Sequence, residues 1–189
     1  MNLKLHQVSI FLILTLLLAS CVTQSVSTIV GGEYDARKNR TDYFVIPYGS
    51  VSIPEKWDKV GYNKVSHQQY FRNKDSVILS VAFGLYNKYE FNTKGIYTGY
   101  NFVKAYYDWD SSYFKEKFGL SSEIIEKDTV NNYLLYRTFG DIPQGKFDTF
   151  FLLKERKGCT SLFSITATNK WSEQQKVIFL RQFTFENSK

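Results

Sequence analysis

The sequence predicts an α+β fold, with a mainly antiparallel β-sheet of about six to eight strands and two helices packed on it. Two observations support this class. Short runs of alternating apolar and polar residues, joined by brief turns, are typical of strands in an antiparallel sheet. Residues 100–118 and 172–183 have helical periodicity instead. The regular βαβ alternation of a doubly wound sheet is missing from the sequence, and so is any glycine-rich phosphate loop.

The clearest strand pattern covers residues 77–83. The apolar side chains that share one face of this run are Val77, Leu79, Val81 and Phe83. Residues 140–145 and 155–158 contain glycine between two apolar runs, so they predict hairpin turns. The predicted strands are residues 43–46, 51–53, 65–72, 77–83, 124–125, 133–139, 147–153 and 159–168. This number of strands is sufficient for one sheet.

Residues 100–118 predict an amphipathic helix that ends at Gly119. Its polar residues recur at spacings of three and four, and they are Asn101, Lys104, Asp108, Ser111 and Lys115. Its aromatic stripe, on a different face, consists of Phe102, Tyr106, Trp109 and Tyr113. The second helix is predicted to begin at Ser172, because Gln175 three residues later completes a capping box, and to end near Phe183.

The amino-terminal segment has the features of a secretory leader. Lys4 precedes an uncharged apolar run at residues 8–19, which is too short for the roughly 20 residues of a membrane span. The run ends in Leu18-Ala19-Ser20-Cys21, which resembles the lipobox of bacterial lipoprotein signal peptides. The resemblance implies removal of residues 1–20 and acylation of Cys21, which would then anchor the chain to a membrane. An ordinary secretory peptide with a chance cysteine is the alternative.

The lipobox resemblance also implies a place in the cell. Val22 follows the cysteine, and a residue other than aspartate there resembles the outer-membrane sorting signal, so we expect an envelope protein anchored at the outer membrane. Residues 21–41 combine the lipidated cysteine with serine, threonine, glycine and scattered charges, and they are predicted to be a flexible tether. Residues 42–189 are then a single α+β domain. Nucleic acid is not an expected partner, because the sequence has no basic stripe and no recognition motif.

The order of the predicted elements carries a second resemblance. Pro54 and Trp57 form a Pro-x-x-Trp motif that leads into hairpin strands, and the last strand runs into a helix. Over residues 43–185 this order is similar to the PsbP-like α/β/α sandwich. The resemblance implies a non-enzymatic binding or assembly role, and it transfers no functional residues.

Candidate catalytic and metal-binding residues are scarce. His67 is the one histidine after the leader, and its polar neighbours favour a surface or hairpin position. Cys159 begins a strand and is expected to be a buried structural cysteine. Asp108 and Asp110 lie two apart on the predicted helix and therefore cannot converge on one substrate. No metal-ligand spacing is present, and no cofactor is expected.

The function predicted from these observations is that of a membrane-anchored, non-catalytic domain that binds an envelope protein or assists an assembly. Aromatic residues are dense around the start of the first helix, and Tyr100 and Tyr107 lie off its apolar stripe, so they are the candidates for an exposed binding surface. Two alternatives stay open. A carrier of small apolar ligands would need a closed pocket of ~300 Å³ or more. A hydrolase would need a site that the sequence does not reveal.

Overall fold

A computed structural model describes residues 27–185. The predicted α+β class is confirmed, with eleven strands and two α-helices in this part of the chain. The strands are β1 (Ile29–Gly31), β2 (Tyr34–Asp35), β3 (Arg40–Ile46), β4 (Gly49–Pro54), β5 (Asp58–Asn63), β6 (Gln68–Arg72), β7 (Ile78–Leu85), β8 (Ser121–Asp128), β9 (Tyr133–Ile142), β10 (Gly145–Arg156) and β11 (Cys159–Ile165). The helices are α1 (Gly99–Phe118) and α2 (Glu173–Phe185).

The main sheet has seven strands in the order β5-β6-β7-β11-β10-β9-β8, and every neighbouring pair is antiparallel. This number lies within the predicted six to eight. Consecutive residues of its central strands face opposite sides, so that Leu135 and Leu152 pack in one apolar core while Leu134 and Leu153 pack in another. Both faces of the sheet are therefore covered.

The domain has three layers, with the main sheet in the middle and one apolar core on each of its faces. Helix α2 and the β3–β4 hairpin cover one face of the main sheet, with Tyr43, Val51 and Leu180 in the shared core. Helix α1 covers the other face, where Phe102 and Tyr106 pack against the sheet. No helix within residues 27–185 has the length and the apolar character that crossing a membrane requires.

A second, four-stranded sheet was not predicted, and it corrects the boundary of the tether. Strands β1 and β2 pair with one side of β3, and β4 pairs with the other. Residues 29–41 therefore belong to the folded domain, whereas the sequence assigned residues 21–41 to a tether and began the domain at residue 42. The glycines that suggested a flexible segment serve close packing instead, because a Cβ on Gly32 would lie 2.2 Å from the Asp42 carbonyl oxygen.

Strand β5 was also missed, and the reason is its composition. All six of its residues are exposed at the edge of the main sheet, so it lacks the apolar face that identifies a strand in a sequence. The predicted strand at residues 65–72 is shorter in the structure. Residues 64–67 form the turn of the β5–β6 hairpin, and β6 begins only at Gln68.

Both predicted helices are confirmed to within about two residues at their ends. Gly119 adopts a left-handed conformation and ends α1, as expected. At the start of α2, the backbone N–H of Ser172 donates to Gln175 Oε1 at 2.8 Å, and that of Gln175 donates to Ser172 Oγ at 3.2 Å. The capping box read from the sequence is therefore formed.

Candidate functional site

An open groove of about 370 Å³ lies on the face of the domain that carries α2. It is formed by the turn before β5, the β6–β7 turn and the exposed side of α2. We call it the tryptophan groove, and its apolar residues are Pro54, Trp57, Trp171, Ile178 and Phe179. Its polar residues are Glu55, Asn73, Lys74, Asp75, Gln175 and Gln182.

The Pro-x-x-Trp motif forms one wall of the groove. The indole N–H of Trp57 donates to the carbonyl oxygen of Pro54 at 2.9 Å, which closes the motif into a compact turn. The backbone N–H of Trp57 donates to Thr41 Oγ1 at 2.9 Å, and that hydroxyl donates to the Glu55 carbonyl oxygen at 3.0 Å. Trp57 is almost fully buried, and its position is fixed by hydrogen bonds to the small sheet.

Three aromatic rings form the floor. The ring of Trp57 meets Trp171 edge-on at a centroid distance of 6.1 Å, and Phe179 packs against both, at 5.4 Å from Trp57 and 5.0 Å from Trp171. Trp171 and Phe179 are only half-buried, and Ile178 beside them is 49% exposed. The groove therefore presents aromatic surface to whatever enters it.

The rim is polar. Asn73 Oδ1 accepts hydrogen bonds from the backbone N–H groups of Asp75 and Val77 at 3.0 and 2.9 Å, which hold the β6–β7 turn in shape. Lys74 and Glu55 form an exposed ion pair at 3.7 Å across the mouth. Pairs of this kind contribute at most about 1 kcal/mol, so a bound segment could displace this pair at little cost.

The two tyrosines predicted as a binding surface lie elsewhere. Tyr100 and Tyr107 are half-buried on α1, which covers the opposite face of the main sheet from the groove. The Tyr107 hydroxyl donates to the carbonyl oxygen of Ser122 at 3.4 Å, and its ring packs edge-on against Tyr136 at 5.2 Å. Both tyrosines pack on the α1 side, and the structure does not bring them together with the groove.

The remaining predicted residues are separate from one another. Cys21 lies outside the described residues. His67 is exposed in the β5–β6 turn, as predicted, and its Nδ1 is 3.1 Å from the Tyr62 hydroxyl. Cys159 is half-buried rather than a core residue, because it stands at the first position of β11 beside a turn; burial, followed by the nearby Glu155 carboxylate, raises the pKa of its thiol. Within residues 27–185, no His, Cys, Asp or Glu cluster could hold a metal ion.

Sequence reasoning missed the groove because the residues that line it are far apart in the chain. Trp57 and Trp171 are separated by more than one hundred residues, and nothing in either neighbourhood indicates that they meet. Ile178 gave no indication of a groove either, because a single exposed apolar residue on a helix is common. The one available signal was the Pro-x-x-Trp motif, which identifies one wall of the groove but does not indicate that α2 packs beside it.

Sequence reasoning considered Asp110 only together with Asp108 and did not predict that it lies on the buried side of α1. Its Oδ2 accepts a hydrogen bond from the Tyr136 hydroxyl at 2.7 Å. Burial raises the pKa of Asp110 to about 6, although the hydrogen bond from Tyr136 opposes this effect. Burial and then this carboxylate also raise the pKa of Tyr106. Asp110 is enclosed by aromatic side chains on the other face of the sheet from the groove, so it takes no part in the groove's chemistry.

Comparison with solved structures gives a distant structural similarity. No family model matches the chain, and no curated protein matches it. Among solved structures, the chain is similar to that of cyanobacterial PsbP (CyanoP) from Synechocystis sp. PCC 6803, with 17% sequence identity and a TM-score of 0.37. The match covers 86% of this chain and 93% of that chain. The PsbP-like resemblance inferred from the order of elements thus has a distant structural counterpart.

Proposed function

We propose that this chain is a lipid-anchored protein of the bacterial envelope whose domain binds a segment of another envelope protein in the tryptophan groove. The observation that carries the binding role is the aromatic floor of the groove, where the half-buried rings of Trp171 and Phe179 are open to solvent and pack on the buried Trp57. The lipobox ending in Cys21 supports the anchor. The proposed role is non-catalytic, because the residues that line the groove include no nucleophile hydrogen-bonded to a base, and its charged residues Glu55, Lys74 and Asp75 lie at the exposed rim.

The anchor has a simple physical basis. One acyl chain gives marginal, reversible membrane binding, whereas two or more hold a protein stably on the bilayer. A lipobox cysteine carries a diacylglyceryl group and an amide-linked chain, so a modified Cys21 would keep the protein on the membrane. Mass spectrometry of the amino-terminal fragment of the purified protein tests this part. A fragment that begins at an acylated residue 21 is expected, and an unmodified Cys21 or a retained leader would contradict it.

The groove suits a peptide segment better than a small apolar ligand. Its volume lies at the small end of the ~300–1,000 Å³ range of ligand pockets, but it is open along one side, whereas a carrier requires an enclosed cavity. Gln175 and Gln182 are exposed at its rim, where the Gln182 amide and the NH2 group of Gln175, whose Oε1 accepts from Ser172, can hydrogen-bond to a peptide backbone. An apolar side chain of that peptide would cover the aromatic floor, with Ile178 at its edge.

A photo-crosslinking experiment tests the groove directly. A photoreactive phenylalanine analogue replaces Ile178 in cells that express the lipidated protein, and the same analogue replaces Ile96 as a control, because Ile96 is exposed in the loop before α1. We expect a specific protein adduct from position 178 and none from position 96. Equal adducts from both positions, or a glycan as the captured species, would contradict the proposal.

A charge substitution then gives the energetic test. Ile178→Asp places a carboxylate at the edge of the aromatic floor and is expected to weaken binding of the captured partner about tenfold or more. Ile96→Asp introduces the same charge at an exposed site outside the groove and is expected to leave binding unchanged. Thermal unfolding of both variants verifies that the fold is intact, since both side chains are largely exposed.

A further inference from the structure

We infer that one end of the small sheet, formed by Ile29, Val30, Phe44, Ile46 and Pro47, rests on the bilayer surface when residue 21 carries its acyl chains. We call this surface the apolar end. The inference rests on the proposed lipid anchor and adds to it an orientation of the folded domain. The partner is a phospholipid surface, and the contact is made by apolar side chains.

The apolar end lies where β1 pairs with the last residues of β3, and its side chains come from both faces of the small sheet. Ile29 lies directly opposite Ile46 in the antiparallel pair of β1 and β3, so their side chains share one face of the small sheet. The exposed fractions are 59% for Ile29, 56% for Val30 and 46% for Ile46, and Pro47 is exposed beside them. Adjacent apolar side chains of this kind, left uncovered on a domain, mark a contact with a protein or a membrane.

Phe44 extends the surface. It faces the same way as Ile46, because the two residues are separated by one position in β3, and it is half-buried. Its ring lies over Gly31, where a Cβ would approach it to 2.6 Å. The glycine at this position therefore leaves room for the tip of the Phe44 ring, which a larger residue would displace.

The length of chain between the anchor and the sheet selects the membrane as the occupant. Eight peptide steps separate Cys21 from Ile29. A chain of that length reaches at most about 28 Å even when fully extended. A domain of this size is roughly 40 Å across. An acylated residue 21 therefore keeps β1 near the bilayer, and the apolar end is the exposed apolar surface that β1 itself carries.

The charges around the apolar end predict how the contact forms. The acidic residues of the segment from β1 to β3 are Glu33, Asp35 and Asp42, and the basic residues are Arg37, Lys38 and Arg40. These numbers are equal, and Lys38 and Arg40 form ion pairs with Asp35 at 3.7 Å and with Asp42 at 3.1 Å. The contact should therefore form on zwitterionic lipid and should not require anionic lipid.

This orientation leaves the tryptophan groove accessible. Strand β4 runs from Gly49, next to the apolar end, to Pro54, at the wall of the groove. At about 3.3 Å per residue, the two ends of this strand are roughly 17 Å apart. When the apolar end lies on the bilayer, the groove is held away from it and faces partners in the aqueous compartment.

The test uses the purified lipidated protein in phosphatidylcholine vesicles that contain a phospholipid with a diazirine in its acyl chain. After illumination, mass spectrometry locates the crosslinked residues. We expect crosslinks at Ile29, Val30, Ile46 or Pro47, and none at Ile178 in the groove. Crosslinks concentrated at Ile178, or on the α1 side of the domain, would overturn the inference.

A variant pair and a lipid series sharpen the result. Ile29→Asp combined with Ile46→Asp is expected to lower the crosslink yield in this region about tenfold. Val130→Asp is the control, because Val130 is highly exposed in the β8–β9 turn, and it should leave the yield unchanged. A large rise in yield on adding phosphatidylglycerol would overturn the apolar nature of the contact.

The amino-terminal fragment from the same sample separates the two proposals. An acylated fragment together with crosslinks at the apolar end supports both. An acylated fragment with crosslinks elsewhere overturns the orientation alone. An unmodified residue 21 overturns the anchor, and with it the orientation that depends on it.

Discussion

The carboxylate of Glu155 accepts a hydrogen bond from the backbone N–H of Gly99, with 2.7 Å between Oε2 and the amide nitrogen. A buried acid of strand β10 thereby caps the amino terminus of helix α1, where Thr98 makes no side-chain cap of its own. Its other oxygen accepts from the backbone N–H of Gly158 at 2.6 Å. One carboxylate thus joins the helix to the β10–β11 turn.

Replacing Glu155 with glutamine is expected to lower the free energy of unfolding by about 1–2 kcal/mol. Glutamine has one acceptor oxygen for two backbone donors, and it lacks the negative charge that the helix amino terminus favours. Urea unfolding followed by circular dichroism measures the effect. Glu116→Gln removes a charge from an exposed position of the same helix and should change stability by less than about 0.5 kcal/mol. Equal effects of the two substitutions would show that the cap is unimportant.

Asp110 should make the stability of the domain fall as the pH rises from about 4 to about 6. Its pKa is raised from 3.8 to about 6 by burial, so the folded state binds a proton in this interval that the unfolded state releases. Ionisation above pH 6 therefore costs on the order of 3 kcal/mol. Asp110→Asn removes this cost and keeps an acceptor for the Tyr136 hydroxyl. Urea midpoints between pH 4 and pH 8 should show the variant gaining on the wild type with rising pH.

Tyr136→Phe gives a complementary result. The hydrogen bond from Tyr136 lowers the pKa of Asp110, so its removal should raise that pKa further and extend the pH-dependent loss of stability to higher pH. The relevant measurement is the change of unfolding free energy with pH, because removing a buried hydroxyl also changes the stability by a constant amount at every pH. Identical pH slopes in the wild type and in Asp110→Asn would contradict the assignment to Asp110.

Asp148 joins two cations that connect the main sheet to α2. Its Oδ1 lies 2.7 Å from Arg137 Nε, and its Oδ2 lies 3.5 Å from the ammonium of Lys176, which is buried. Asp148→Asn would leave the lysine charge in a buried site without its carboxylate. We expect a loss of about 3 kcal/mol in unfolding free energy, measured by urea unfolding at pH 7.

Lys176→Met tests whether the buried lysine charge itself stabilises the fold. Asp148 would keep Arg137, and methionine can pack against Phe150, whose ring centroid is 5.0 Å from the lysine nitrogen. Exchange of a buried ion for an apolar side chain of similar size is often neutral, so stability should change by less than about 1 kcal/mol. A loss as large as that of Asp148→Asn would show that the lysine charge itself stabilises the fold.

Local patterns in the sequence predicted the elements that local forces determine. Period-two alternation located β7, β9 and β10, and the polar and aromatic stripes located α1. Ser172 and Gln175 marked the start of α2, because a capping box is made between residues three apart and needs nothing from the rest of the chain. Strands without an apolar face, such as β5, gave no such signal.

Long-range packing decided the features on which the proposed function depends. Trp57 and Trp171 meet only because the small sheet and α2 cover the same face of the main sheet, and that contact joins distant parts of the chain. The position of Ile29 is determined by the pairing of β1 with β3, where Ile29 lies opposite Ile46, since a three-residue strand has no stable structure without a partner. The sequence alone thus predicted the α+β class and the two helices, and the proposed lipobox rests on it alone. The tertiary structure alone decided the groove and the apolar end, because both arise from contacts between residues far apart in the chain.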